Sequence, residues 1–435
     1  MIDKKLKWPW TSTPQKNFLF RRMNEYPKLR FVEALPLDYE GEKRFALRDP
    51  SGLAEDMIVV SGEALFILQY FDGKHSVAEI RSEFVRALGT SLPERKLQEL
   101  IAALDQAHFL ESESFQDYKR GLESQMLTQQ LRPAAHAGAS YPSEPEPLRQ
   151  RLNFFYKAGA GLPVLKNSAN GVAFVNGLIA PHIDLRVGGA CYTYAYHALA
   201  DSTPADIYII LGTGHSGLNN CYSCLKQDFS TPLGTVKHDA EFIEELAHRH
   251  PFDLFSEPLP HRTEHTIEFQ TVFLQHLLGG RKNFTIAPIL CSYAYPMLTH
   301  ERFSREHTVI DAFVTALRET CAAFNARNRR VCMIASVDFS HVGPRYGDEQ
   351  TLTPSFLQRV DEADHQLIQA ITRIDAGEFV ETTTRLQDRY RVCGFAPIHT
   401  LLCVTSAKKG KLLKYEQGLV DDKKSVVSYA SLAFY

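Results

Sequence analysis

From Gly177 onward, short and almost uninterrupted apolar runs alternate with stretches of helical character. The runs are "GLIA", "IYIIL", "FTIAPIL" and "VCMIAS". Between and after them lie "GGACYTYAYHALA", "DAEFIEELAHRH", "EHTIEFQTVFLQHLL", "VIDAFVTALRETCAAF", "FLQRVDEADHQLIQAI" and "AGEFVETTTRL". Strands that lack polar alternation have no face to offer water, so helices must cover both sides. The pattern predicts an α/β domain with a mainly parallel central sheet flanked by helices.

In such sheets, ligands sit beyond the carboxyl ends of the strands. Three runs carry a histidine to that edge: His182 in "GLIAPH", His215 in "YIILGTGHSG" and His341 in "CMIASVDFSH". Neutral imidazoles are the commonest metal ligands, and the glycines around His215 allow close backbone approach. A set of two histidines needs an anionic partner. Two candidates are Cys393 in "YRVCGFAPIH" and Asp338 in "DFSH", a thiolate suiting soft or borderline metals. Asp338 has a second reading, fixing a nearby imidazole that moves a proton. His265 and Glu268 in "EHTIE" fall at i and i+3 on one helix face. They either join a metal site or form an exposed pair. The lone C-x-x-C of Cys221 and Cys224 has no second pair and reads as packing.

At about 150 residues per domain, a chain of 435 residues holds two or three domains. Its net charge of −3 supplies no broad basic field for nucleic acid. No window approaches the roughly 18 apolar residues of a membrane span. All eight cysteines lie from Cys191 onward, which argues for reduced thiols and a cytoplasmic protein. "MIDKKLKWPW" lacks the apolar core of a signal peptide.

Residues 1–30 read as a basic arm, 31–112 as a compact module, 113–131 as a polar helical linker and 132–435 as the α/β domain. Within the module, "RFALRD" and "DMIVV" alternate as a hairpin. Helices follow near "GEALFILQYF", after a capping box at Ser76 and Glu79, and from Pro93 at a first helical position. "HFLES" reads as a closing strand. These elements predict a small winged-helix-like α+β domain. Its last helix mixes Glu94, Glu99 and Asp105 with Arg95 and Lys96, so it is no basic reader of DNA. Through "DGKHSVAEI" and "HFL", the module resembles PqqD-like winged helices, which implies docking of a peptide or partner along a strand edge.

The region from Arg132 to Tyr435 resembles the Memo family, also called AmmeMemoRadiSam system protein B. "AAHAGASYP", "APH", "LGTGH", "EHTIE", "DFSH", "CG" before a proline and "VVSYASLAF" follow in that family's order. The resemblance implies a LigB-like fold of class III extradiol dioxygenases. It places His182, His215 and Cys393 at the metal-ligand positions and His341 at the pocket acid/base position, with Asp338 beside it. Fe(II) is the implied metal, with copper and zinc as alternatives. A radical-SAM enzyme and an Amme-type protein are the implied partners, beside a small-molecule substrate. Two departures stand out. A cysteine replaces the usual carboxylate, and "PHIDLRVGG" puts Asp184 and Arg186 where a pocket of different polarity would begin. The expected function is a non-haem iron oxidoreductase, with rivals in a metal-binding partner protein, a zinc hydrolase and a Cys393 nucleophile activated by His341.

Overall fold

The computed structural model describes residues 6–7, 25–39, 41–54, 57–163 and 174–435. The chain divides into two compact units after Met126.

In the N-terminal unit, strands Glu33–Tyr39, Glu42–Arg48 and Met57–Ser61 form an antiparallel sheet. Leu6–Lys7 adds a short parallel pairing to Met57–Ser61. Most of the expected basic arm lies outside the described residues. Three helices follow, Gly62–Leu68, Val77–Leu88 and Glu94–Gln106. The Ser76–Glu79 capping box is present. Pro93 stands one place before the helix, at its N-cap with ψ 132°, because an extended residue there turns the chain into the first turn. Instead of a strand, "HFL" makes a single bridge, Leu110 to Leu29. The core comprises Ile58, Val60, Ile67, Phe71, Ile80, Phe84, Leu97, Ile101 and Leu104. The polar stretch after it forms helix Glu113–Thr128. Its first turns pack on this unit: Phe115 is buried beneath the Arg30 guanidinium at 4.0 Å, and the Tyr118 hydroxyl donates to the Leu53 carbonyl at 3.1 Å.

The C-terminal unit is built on an eight-stranded sheet. Its strands, in chain order, are β1 (Gly177–Ala180), β2 (Ile207–Thr213), β3 (Tyr222–Cys224), β4 (Thr285–Cys291), β5 (Val331–Ser336), β6 (His341–Val342), β7 (Gly410–Leu419) and β8 (Val426–Phe434). The order across the sheet is β6-β8-β1-β5-β2-β4-β3, with β7 also paired to β8. The four central strands are parallel, as the apolar runs predict. The margins at β3, β6, β7 and β8 are antiparallel. β1, β5 and β2 are neighbours, so the segments leaving them emerge side by side.

Three helices frame those ends: α1 (Leu185–Ala200), α2 (His265–Leu278) and α3 (Phe395–Val404). α2 and α3 bury most of their residues, including polar ones, and buried polar groups need partners. Gln270 Nε2 donates to the Pro181 carbonyl and to Ser336 Oγ, both at 2.7 Å. Ser336 Oγ donates to the Thr266 carbonyl at 2.6 Å, and Thr266 Oγ1 to the Thr213 carbonyl at 3.2 Å. One helix start thereby holds the ends of all three strands. Its close approach depends on Gly212, where a Cβ would meet Thr266 Oγ1 at 2.5 Å. Among the described residues, no helix is long and apolar enough to cross a membrane.

Candidate metal centre

His182 lies two residues past β1 and His215 two past β2. Cys393 lies just before α3, in a loop where Gly394 allows tight packing. A Cβ on Gly394 would sit 2.5 Å from Val337 Cβ and 2.8 Å from the Asp338 carbonyl oxygen. Strand ends and helix start converge, and one ligand atom each from His182, His215 and Cys393 lie within 4.8 Å of one another. Cys393 Sγ is 3.2 Å from His182 Nε2.

Each histidine has its far nitrogen committed. His182 Nδ1 donates to the Ser336 carbonyl at 2.9 Å, which leaves the Nε2 lone pair facing Cys393. His215 Nδ1 donates to Glu264 Oε2 at 3.1 Å, and its backbone N–H reaches the same oxygen at 3.0 Å. Metal-binding histidines characteristically have such an outer partner, which fixes the tautomer and the ring. Glu264 is the residue that sequence pattern alone passes over. It is buried, caps α2, and accepts from His265 Nδ1 at 3.0 Å as well. His265 stacks on His215 with centroids 5.1 Å apart and stands edge-on to His182 at 5.3 Å.

Electrostatics follow from this packing. Burial holds the His182 imidazole well below its usual range, and His215 and His265 reinforce that. Burial would also lower His215, but the Glu264 carboxylate outweighs it and raises His215 well above the usual value. For Glu264 the same pairing overcomes burial and keeps the carboxylate ionised. Burial pushes the Cys393 thiol up. A coordinated cation would reverse that and hold a thiolate.

Asp338 and His341 sit differently from the sequence expectation. β5 ends at Ser336, and His341 opens the edge strand β6, so no strand end delivers it. Asp338 does not serve the His341 ring. Its Oδ1 accepts the backbone N–H groups of His182 at 3.0 Å and Ile183 at 3.2 Å, bracing the His182 turn. Burial drives Asp338 up to about 7, against those two N–H groups. His341 Nδ1 donates to the carbonyls of Phe339 at 3.0 Å and Arg391 at 3.1 Å. Burial lowers His341 to about 4, so the ring is neutral with Nε2 as its acceptor. The preceding residue, Ser340, donates to buried Asp364 at 2.6 Å.

The remaining pocket candidates have other work. Glu268 shares the helix face of His265 but is consumed by buried Arg132, the Tyr141 hydroxyl and the N–H groups of Ala135 and His136. It anchors the entering chain rather than a metal. Asp184 caps α1 and binds Arg186 through Nε and Nη2, both at 2.8 Å, so the two residues largely satisfy each other. Cys221 and Cys224 are buried free thiols packed in the core, as their isolated spacing implies.

The family model described as Memo-like protein matches residues 132–433. That span opens on Arg132, the buried partner of Glu268, and includes every residue of the centre. The chain belongs to the Memo family. A MEMO1 family protein of Aquifex aeolicus is 30% identical over 412 residues, covering 94% of this chain and all of the relative. A MEMO1 family protein of Methanopyrus kandleri is 30% identical over 312 residues, 70% of this chain and 98% of the relative. One from Thermus thermophilus is 26% identical over 358 residues, 82% of this chain and 98% of the relative. The Memo family match thus coincides with the C-terminal unit, while the Aquifex similarity takes in most of the N-terminal unit too.

Proposed function

We propose that this Memo family protein binds one metal ion, Fe(II) in the working state, through His182, His215 and Cys393, and uses it to oxidise a small substrate. The observation that carries this is the convergence of three ligand atoms within 4.8 Å, with both imidazoles oriented by oxygen acceptors on their far nitrogens. Two histidines and a thiolate satisfy a borderline metal and leave coordination positions open. A bound Fe(II) would supply Lewis acidity and redox reactivity toward O₂. The chain's part is to hold and orient. Glu264 fixes His215, Ser336 fixes His182, and Asp338 braces the turn that carries His182. His341, neutral and with Nε2 unengaged among the described residues, is the group suited to take a proton from a substrate hydroxyl and return it.

A second reading, a metal-carrying partner protein without turnover, draws on the thiolate in place of a carboxylate. Such a donor set also suits copper and zinc. Elemental analysis after anaerobic, chelator-free purification tests the ligand set. Cys393→Ala should lose the metal, whereas His341→Ala should retain most of it. If His341→Ala empties the site and Cys393→Ala stays full, the assignment is wrong. Oxygen uptake with small catechols then separates the readings: for an oxidase, His341→Ala should slow turnover by about 10²–10⁴-fold.

A further inference from the structure

The short turn Pro344–Tyr346, flanked by Gly343 and Gly347, is fixed from several directions. Gly343 has φ 110°, and a Cβ there would meet Ser425 Cα at 2.7 Å. Its N–H donates to Asp348 Oδ2 at 2.7 Å, and the Arg345 N–H donates to Ser425 Oγ at 3.0 Å. Asp348 is ion-paired with Arg391, whose Nε donates to the His341 carbonyl at 3.0 Å. Arg391 lies two residues before Cys393 and holds a φ of 58°, a strained value for a non-glycine residue. One clamp therefore joins the turn, the acid/base candidate and the loop of the thiol ligand.

What the clamp presents is Tyr346. Its ring stands edge-on to His341, with centroids 5.0 Å apart and planes at 87°. The phenol lies within electrostatic reach of both Asp338 and Cys393. Burial raises its pKa to about 12; Asp338 and Cys393 push the same way and Arg345 opposes them, so the hydroxyl remains a donor. Other tyrosines around the centre spend their hydroxyls inside the protein: Tyr192 on the Ile183 carbonyl at 2.8 Å, Tyr196 on Gln270 at 2.8 Å and Tyr293 on the Ala396 carbonyl at 3.1 Å. Among the described residues, the Tyr346 hydroxyl has no hydrogen-bond partner.

We propose that Tyr346 is a substrate-positioning residue, its ring and that of His341 forming a wall for a flat aromatic ligand and its hydroxyl donating to that ligand's phenolate oxygen. The inference rests on the metal-binding reading above. A flat aromatic occupant that stacks on, or stands edge-on to, either ring gains the usual ring–ring contact, and a hydrogen bond to a charged oxygen is among the stronger ones.

The test uses full-length protein loaded with Fe(II) under anaerobic conditions and 4-nitrocatechol as probe, titrated by its absorption spectrum. Tyr346→Phe should retain iron at the wild-type level and bind the probe about tenfold more weakly. Tyr346→Ala should weaken binding further. The Phe variant removes one oxygen from a half-exposed ring, so it keeps the test valid if the Ala variant fails to fold. Wild-type binding by Tyr346→Phe, with iron retained, overturns this proposal alone. Loss of iron in Tyr346→Phe also overturns it, since the residue would then support the metal. A wild-type protein that holds no iron overturns the metal reading and this proposal together.

Discussion

Glu264 Oε2 accepts two hydrogen bonds from His215, one from the ring Nδ1 at 3.1 Å and one from the backbone N–H at 3.0 Å. A single carboxylate oxygen thus sets both the tautomer of the imidazole and the path of the chain that carries it. The other oxygen holds His265 in the same way.

The consequence is measurable as metal affinity. Glu264→Gln keeps an acceptor but removes the charge, and Glu264→Ala removes both. Outer partners of this kind are worth about 10–100-fold in metal binding. Competition with a chromogenic chelator should show a loss in that range for Glu264→Gln and a larger one for Glu264→Ala. Wild-type affinity in both variants would mean that the carboxylate only caps α2.

The sequence makes part of this site readable. His182 and His215 stand out because each ends an apolar run, and parallel strands bring their ends to one edge whatever their separation in the chain. Glu264 does not stand out, since its partner is 49 residues away and an acid at a helix start is ordinary. Its one local signal is adjacency to His265 in "EHTIE". Asp338 is legible as a positioning group, but proximity in the chain points to the wrong histidine. Only two residues separate it from His341, yet the parallel pairing of β5 with β1 sets it beside His182. Glu268 misleads for a related reason: helical spacing gives a shared face, and only the fold shows that Arg132 occupies it. The antiparallel margins are hidden as well, because "VVSYASLAF" is buried throughout and no alternation marks it as an edge pairing.

Glu268 and Arg132 form an ion pair with side chains 0% and 1% exposed. Removing one member of such a pair leaves a buried charge without its counterpart, which costs about 3–5 kcal/mol. Glu268→Ala should therefore destabilise the C-terminal unit by that amount in urea unfolding. Glu268→Gln should cost less, because it still accepts from the N–H groups of Ala135 and His136. A loss below about 1 kcal/mol for the alanine variant would show that the carbonyls of His261 and Glu264, which also bind Arg132, suffice to hold it.

Asp364 offers a pH test of the packing behind His341. It is fully buried and receives hydroxyl hydrogen bonds from Ser340 at 2.6 Å, Ser428 at 2.5 Å and Tyr415 at 2.8 Å. Burial outweighs these bonds and raises its pKa from 3.8 to about 6. Between those values the folded protein keeps a proton that the unfolded chain has released. Stability from this group is then present in full below the unfolded value and falls as pH rises through about 6. The loss amounts to about 3 kcal/mol, because each tenfold gain in proton affinity on folding is worth about 1.4 kcal/mol. Asp364→Asn is neutral at every pH and should lack this slope. Urea unfolding of both proteins at pH 4, 5, 6 and 7 (with chelator present, so that metal binding drops out) gives the difference curve. That curve should move in favour of the asparagine variant as pH rises. Parallel profiles would mean that the three hydroxyls stabilise the carboxylate enough to cancel its burial, so that Asp364 ionises in the folded protein as readily as in the unfolded chain.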